Sequence, residues 1–160
     1  MPAPPFELDP PRFETGRSMR IAGLRGHFTT ATWAGIPAQW QRLIAYGKIP
    51  GMVASAHYGL CFNQPGGIDY LCGVEVSNVS DLPGEFSHCE IPGQRYAVFS
   101  HRGHVSELYN TMDAIQRTWA PHHDLVRPAD GSPDFFERYG KRFDPRTGLG
   151  DIEVWIPIRQ

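Results

Sequence analysis

The chain has 160 residues, 41% hydrophobic and 20% charged, the make-up of a globular protein long enough to bury a real core. A net charge of −2 and a pI near 6.4 exclude the basic excess with which a domain grips nucleic acid or anionic membrane by itself, so small molecules or proteins are the expected partners. No apolar run approaches the roughly 18 residues that span a bilayer, and "MPAPPFELDPPRF" lacks the basic and apolar regions of a signal peptide, which points to the cytoplasm.

In chain order, prolines 2, 4, 5, 10 and 11 bar a helix or central strand and predict a partly flexible leader over residues 1–18. A β-like run opens with "RIA" at 20–22. "IPAQWQRLIAYG" then places Ile36, Trp40, Leu43 and Ile44 on one helical face, with Pro37 early and Gly47 as a stop. Two strand-like runs follow, "MVASAHYGLCF" and "IDYLCGVEV". The pattern then recurs. "RYA" at 95–97 opens a second β-like run, and "HVSELYNTMDAIQRTWAP" carries an apolar stripe of Val105, Leu108, Tyr109, Met112, Ile115 and Trp119. Ser106, Asn110 and Arg117 lie outside that stripe, and Pro121 ends the helix. "DFFERYGKRF" and "DIEVWIPI" close the chain. In the latter Ile152, Val154, Ile156 and Ile158 alternate with Asp151, Glu153 and Trp155, as in a strand buried on one face.

Each half therefore reads β-α-β-β, and the halves align: "RIA" with "RYA" at an offset of 75 residues, "VEV" at 74–76 with "IEV" at 152–154 at an offset of 78. The expected fold is α+β, a duplicated β-α-β-β module with pseudo-twofold symmetry, repeats over about 19–80 and 86–160, an antiparallel sheet, two main helices and a ligand groove between the halves. Residues 19–160 form one domain in this reading. The three cysteines, odd in number and without CxxC spacing, predict unpaired thiols. Among seven histidines only His101 and His104 have spacing that suits a helix face, and Gly103 between them argues for a loop, so neither a metal nor a cofactor is expected.

"PDFFERYG", residues 133–140, poses the functional question. Extended, it puts Phe135, Glu137 and Tyr139 on one face and Phe136 and Arg138 on the other. Two readings of Glu137 are open. It is a solvent-facing strand residue paired with a neighbouring arginine, or it sits in an aromatic pocket whose ligand brings the missing positive charge, since a buried unpaired carboxylate is costly. Tyr139, Phe135 and Trp119 offer π surface for a flat apolar body or a cation.

At these residues the chain resembles the GyrI-like superfamily, the small-molecule-binding domain also found as the effector-binding half of AraC-type and MerR-type multidrug regulators. The resemblance runs from about Met19 and is carried by "IPGQRYAVFSHRG", "AIQRTWAP", "PDFFERYGKRFDP" and "IEVWIPI", with "IAGLRG", "IPAQWQRL", "YGLCF" and "DYLCGVEV" in the first half. It implies a similar duplicated fold, a ligand groove at the pseudo-twofold interface, Glu137 as polar anchor with Tyr139 in the family's phenylalanine-glutamate-x-tyrosine motif, and Trp119 at the pocket edge. The first-half counterparts of Glu137 and Tyr139 are Gly59 and Cys61 by the 78-residue offset, which makes the site chemically one-sided. Tyr58, Tyr70 and Trp40 are candidates for its apolar wall, with a core role equally open for Trp40.

The leading expectation is a stand-alone binding protein for amphipathic, aromatic or cationic molecules, without direct nucleic-acid binding, since no helix-turn-helix fits before Arg20. A second reading, implied by hydrolytic relatives in the family, makes Glu137 and Tyr139 catalytic in a hydrolase of cyclopropane-bearing or related xenobiotics. A third, from the family's namesake, is a protein partner: gyrase, or a separate regulator.

Overall fold

A computed structural model describes residues 8–126 and 131–159, so prolines 2, 4 and 5 of the expected leader lie outside the described residues, as does part of the loop over 122–132. Eight strands form one antiparallel sheet: β1 (Arg12–Gly16), β2 (Met19–Phe28), β3 (Met52–Gln64), β4 (Gly67–Val76), β5 (Ser87–Ile91), β6 (Gln94–His101), β7 (Phe135–Tyr139) and β8 (Ile152–Ile158). Helix α1 (Ile36–Ala45) precedes β3, and α2 (Leu108–Ala114) precedes β7. The architecture is the expected α+β one.

Strand order is β1-β6-β8-β7-β3-β4-β2-β5, which reads alike from either end when β1 to β4 are exchanged for β5 to β8. Each expected β-α-β-β run is thus preceded by a further strand. β1, inside the stretch read as leader, pairs with β6, and β5 pairs with β2. Gly16 faces Gln94 and Met19 faces Ile91, so three steps along one chain match three steps back along the other. The register is carried unbroken through residues 17–18 and 92–93. β1 with β2, and β5 with β6, therefore act as two long strands, each shared between opposite ends of the strand order. This ties the ends together and curls the sheet around its inner face, leaving no long open edge among the described residues for another chain to pair with.

Curling explains why β8 departs from one-sided burial. Ile152, Val154 and Ile156 are buried beneath α2, while Glu153 is also buried and Trp155 is partly buried on the inner face. That inner face holds Tyr58, Leu60, Phe62, Tyr96, Val98 and Phe136. The outer face carries two further clusters, one under α1 and one under α2, and Trp40 and Phe135 border both.

Both helices differ from their periodicity. In α1 the buried positions are Gln39 and Leu43, whereas Ile44 is exposed. Gln39 Nε2 donates to the carbonyls of Leu24 and Tyr70 at 3.0 and 3.1 Å, so a polar residue seats the helix on β2 and β4. In the second half one long helix was expected. It winds as a 3-10 turn (Val105–Glu107), α2, a π-helical turn (Ile115–Trp119) and a second 3-10 turn (Ala120–His122). Changing residues per turn rotates the apolar stripe, and Tyr109 falls outside it, exposed beside Trp33.

Among the described residues no helix is long and apolar enough to cross a membrane, no group of three His, Cys, Asp or Glu is placed to hold a metal, and all three cysteines are free and buried.

Candidate functional site

β7 is a central strand, paired with β3 and β8, and its alternation turns Phe135, Glu137 and Tyr139 toward the helices. Glu137 is only 6% exposed. The hydroxyls of Tyr70, from β4, and Tyr139 both donate to Oε1 of Glu137, at 2.6 and 2.8 Å. Trp40 Nε1, from α1, donates in turn to the Tyr70 hydroxyl at 3.1 Å, and the Trp40 ring stands edge-on to Tyr139 with centroids 5.2 Å apart. A chain of donors thus runs from α1 through β4 to one carboxylate oxygen. Among the described residues nothing donates to Oε2, and no basic group forms an ion pair with Glu137. The reading as a solvent-facing, arginine-paired residue therefore does not describe this chain.

Burial raises the proton affinity of Glu137, and the two tyrosine hydrogen bonds, which favour the ionised form, offset part of that rise. Burial, reinforced by the nearby carboxylate, pushes the phenols of Tyr70 and Tyr139 well above their ordinary range, so both remain donors. Cys61 is raised in the same way and stays a neutral thiol. His57, whose ring lies 6.3 Å from Trp40, is held below its ordinary pKa by burial and supplies no counter-charge. Replacing Tyr70 by Phe removes a donor to the ionised form, so Tyr70→Phe is expected to raise the Glu137 pKa further, read by a carbon-13 NMR titration of the carboxyl group.

Gly59 faces Glu137 directly across the β3–β7 pairing. A Cβ there would lie 2.1 Å from the Tyr70 hydroxyl and 2.7 Å from Oε1 of Glu137, so a hydrogen atom at position 59 is what leaves room for the tyrosine to reach the acid. The 78-residue offset had already marked Gly59 as the counterpart of Glu137.

Of the residues picked from sequence, Glu137, Tyr139 and Tyr70 meet through hydrogen bonds. Phe135 and Cys61 lie on the same outer face, opposite each other across the β3–β7 pair. Trp119 borders the α2 cluster, edge-on to Phe99 at 5.0 Å and stacked on His123 at 3.9 Å, and makes no hydrogen bond to Glu137 or its tyrosines. Tyr58 does not join them. It is one residue out of phase with Gly59 and packs on the inner face against Phe136, with centroids 5.8 Å apart. Sequence reasoning left Trp40 open between wall and core and passed over His57. Trp40 was visible as an aromatic on the helix nearest the site, but its hydrogen bond depends on how α1 docks.

The expected groove around Glu137 is bordered by the rings of Trp40, Tyr70 and Tyr139. Two cavities, of about 340 and 300 Å³, lie elsewhere, one on the inner face and one beside Asp151, and neither is lined by Glu137.

The profile of the GyrI-like small molecule binding domain matches residues 9–159. The transcriptional regulator BrlR of Pseudomonas aeruginosa is 32% identical over 103 residues, which cover 63% of this chain and 37% of BrlR, so the match leaves most of that regulator without a counterpart here. Among solved structures, SAV2435 bound to tetraphenylphosphonium superposes with a TM-score of 0.71 at 21% identity over 93% of each chain. The EcmrR C-terminal domain does so at 0.64 and 14% identity, over 94% of this chain and 97% of its own. At such identities these two likenesses speak for the fold alone.

Proposed function

The chain belongs to the GyrI-like small-molecule-binding family, and from that premise we propose that it binds a lipophilic aromatic cation, with Glu137 as the counter-charge. The observation that carries this reading is the buried carboxylate whose Oε1 takes two phenol donors while Oε2 takes none from the described residues. A carboxylate withdrawn from water without a cationic partner costs several kcal/mol, roughly the strength that a complementary ligand recovers. The binding of tetraphenylphosphonium by SAV2435 supports the ligand class.

In this reading Trp40 is the element that moves. It is partly buried, and its hydrogen bond to Tyr70 is one that water or a ligand can replace. Swinging its ring away from Tyr139 opens a slot walled by Tyr139, Tyr70 and Phe135, where an arene stacks and a cation lies within reach of Oε2. The ligand thus takes the place of an internal ring.

The test is thermal stabilisation by tetraphenylphosphonium against neutral tetraphenylmethane-like analogues made soluble by a remote polar group. At a hundredfold excess over its dissociation constant a ligand of the folded state contributes about 2.7 kcal/mol, or roughly 5–10 °C at this chain length. Glu137→Gln is expected to weaken the cation by about 30-fold or more, as removing one partner of a buried charge pair does, and to leave the neutral analogue within a few-fold. Equal losses for both would remove Glu137 as counter-charge.

The raised proton affinity of Glu137 also suits a general base, with Oε2 free to take a proton from water. Recovery of each compound unchanged, by mass spectrometry, separates a receptor from a hydrolase.

A further inference from the structure

Arg138 follows Glu137 and points to the other face of the sheet, where it borders the inner cavity of about 340 Å³. The floor is aromatic. Phe136 stacks on Trp155 at 5.4 Å with planes 17° apart, and Tyr96 meets both edge-on, at 5.4 and 5.2 Å. Tyr58 closes one side; it is buried, and no described residue bonds its hydroxyl. The mouth lies where β1 passes into β2, at Thr15, Gly16, Arg17 and Met19.

The ionisable charges lining this cavity are both guanidinium groups, Arg17 and Arg138; no carboxylate lines it. Glu75 pairs with Arg17 from behind through two hydrogen bonds. Glu153 is divided among three donors. It takes Arg12 at 2.7 Å and the Trp155 indole at 3.0 Å, leaving Arg138 at 3.7 Å with a loose contact. Arg138 therefore has donor capacity to spare, beside a phenol with none of its bonding committed.

We propose that this cavity is a second ligand site, for an aromatic carboxylate of one or two rings. The arene lies against the partly exposed ring of Trp155, which Phe136 and Tyr96 back from within, and the carboxylate is held by Arg138 and the Tyr58 hydroxyl, with Arg17 at the mouth. The volume is at the lower end of small-molecule pockets, which sets the ring count, and a planar guanidinium is matched to a carboxylate. One strand thus presents an acid to a site on its outer face and a base to a site on its inner face.

The experiment is a calorimetric titration of the whole chain with 2-naphthoate, the isosteric neutral 2-naphthamide and the cationic 2-naphthylmethylammonium, with NMR contacts from the ligand protons. The expected result is that naphthoate binds at least about tenfold more tightly than the amide, the ammonium worst, with contacts to Trp155 and Tyr58. Arg138→Gln, which leaves Glu153 its bonds to Arg12 and Trp155, abolishes the preference for the acid over the amide. Tyr58→Phe keeps the ring packing and lowers naphthoate affinity severalfold. Equal binding of acid and amide to the wild type, unchanged affinity in Arg138→Gln, or displacement by tetraphenylphosphonium with contacts to Trp40 each overturns the assignment.

Discussion

Glu137→Gln makes the ligand-free protein more stable at pH 8 than the wild type. Burial raises the proton affinity of this carboxyl in the folded chain above that in the unfolded one. A folded state that holds the proton more tightly is stabilised while the group is protonated. The contribution is fully present below the ordinary carboxyl range and is lost as pH rises through the raised folded pKa. Once pH has risen past that raised pKa, the folded wild type carries an ionised, buried carboxylate without a described cationic partner. Gln removes the charge and keeps a carbonyl oxygen for the hydroxyls of Tyr70 and Tyr139. Each factor of ten in proton affinity is worth about 1.4 kcal/mol, and each kcal/mol about 2–4 °C at this length. The melting difference between variant and wild type should be near zero around pH 4 and grow toward alkaline pH. Melting curves from pH 4 to 9 check it. A wild type that melts higher at pH 8 would mean that the ionised carboxylate is already compensated within the fold, and no ligand charge would be called for. The expected pattern, a variant more stable yet insensitive to cations, is that of a binding group kept at a cost in stability.

The grouping of Phe135, Glu137 and Tyr139 was readable because strand alternation is local: it needs only that residues 135–139 be extended. The same rule places Tyr58 wrongly for an outer-face site once Gly59 is taken as the partner of Glu137, since a neighbour in a strand points the opposite way. β1 and β5 were not readable. "RFETG" and "SHCEI" are five residues each with at most two apolar side chains, too short for alternation to single them out, and they become strands because the registers of β6 and β2 continue through the two-residue crossings. Gln39 defeated the helical pattern for a related reason. Its burial is secured by carbonyls on β2 and β4, which belong to tertiary structure, whereas the periodicity count takes it for a surface residue. The Trp40 hydrogen bond to Tyr70 depends on that same docking of α1.

Gly59→Ala should collapse the site from the side opposite Glu137. In most strands alanine gains over glycine by restricting the unfolded chain, roughly 0.4–1 kcal/mol. Here the new methyl group would lie 2.1 Å from the hydroxyl of Tyr70, 2.7 Å from its ring carbon and 2.7 Å from Oε1 of Glu137. β3 cannot step aside, because Gly59 is paired with Cys72 on one side and Glu137 on the other. Tyr70 must yield, and it is buried, so its displacement breaks both its bond to the carboxylate and the Trp40 bond behind it. Overpacking costs about 1–3 kcal/mol and an unmade buried hydrogen bond about 1–3 more, so a loss of roughly 2–5 kcal/mol is expected, with the response to tetraphenylphosphonium gone. The cause is separable from general damage. Adding Tyr70→Phe removes the nearest clashing atom, so the double variant should be at least about 1 kcal/mol more stable than the two single losses predict, a coupling measured by a denaturant double-mutant cycle. If the losses simply add, the methyl group does not act through that hydroxyl, and the bare backbone at position 59 is not what holds the tyrosine on the acid.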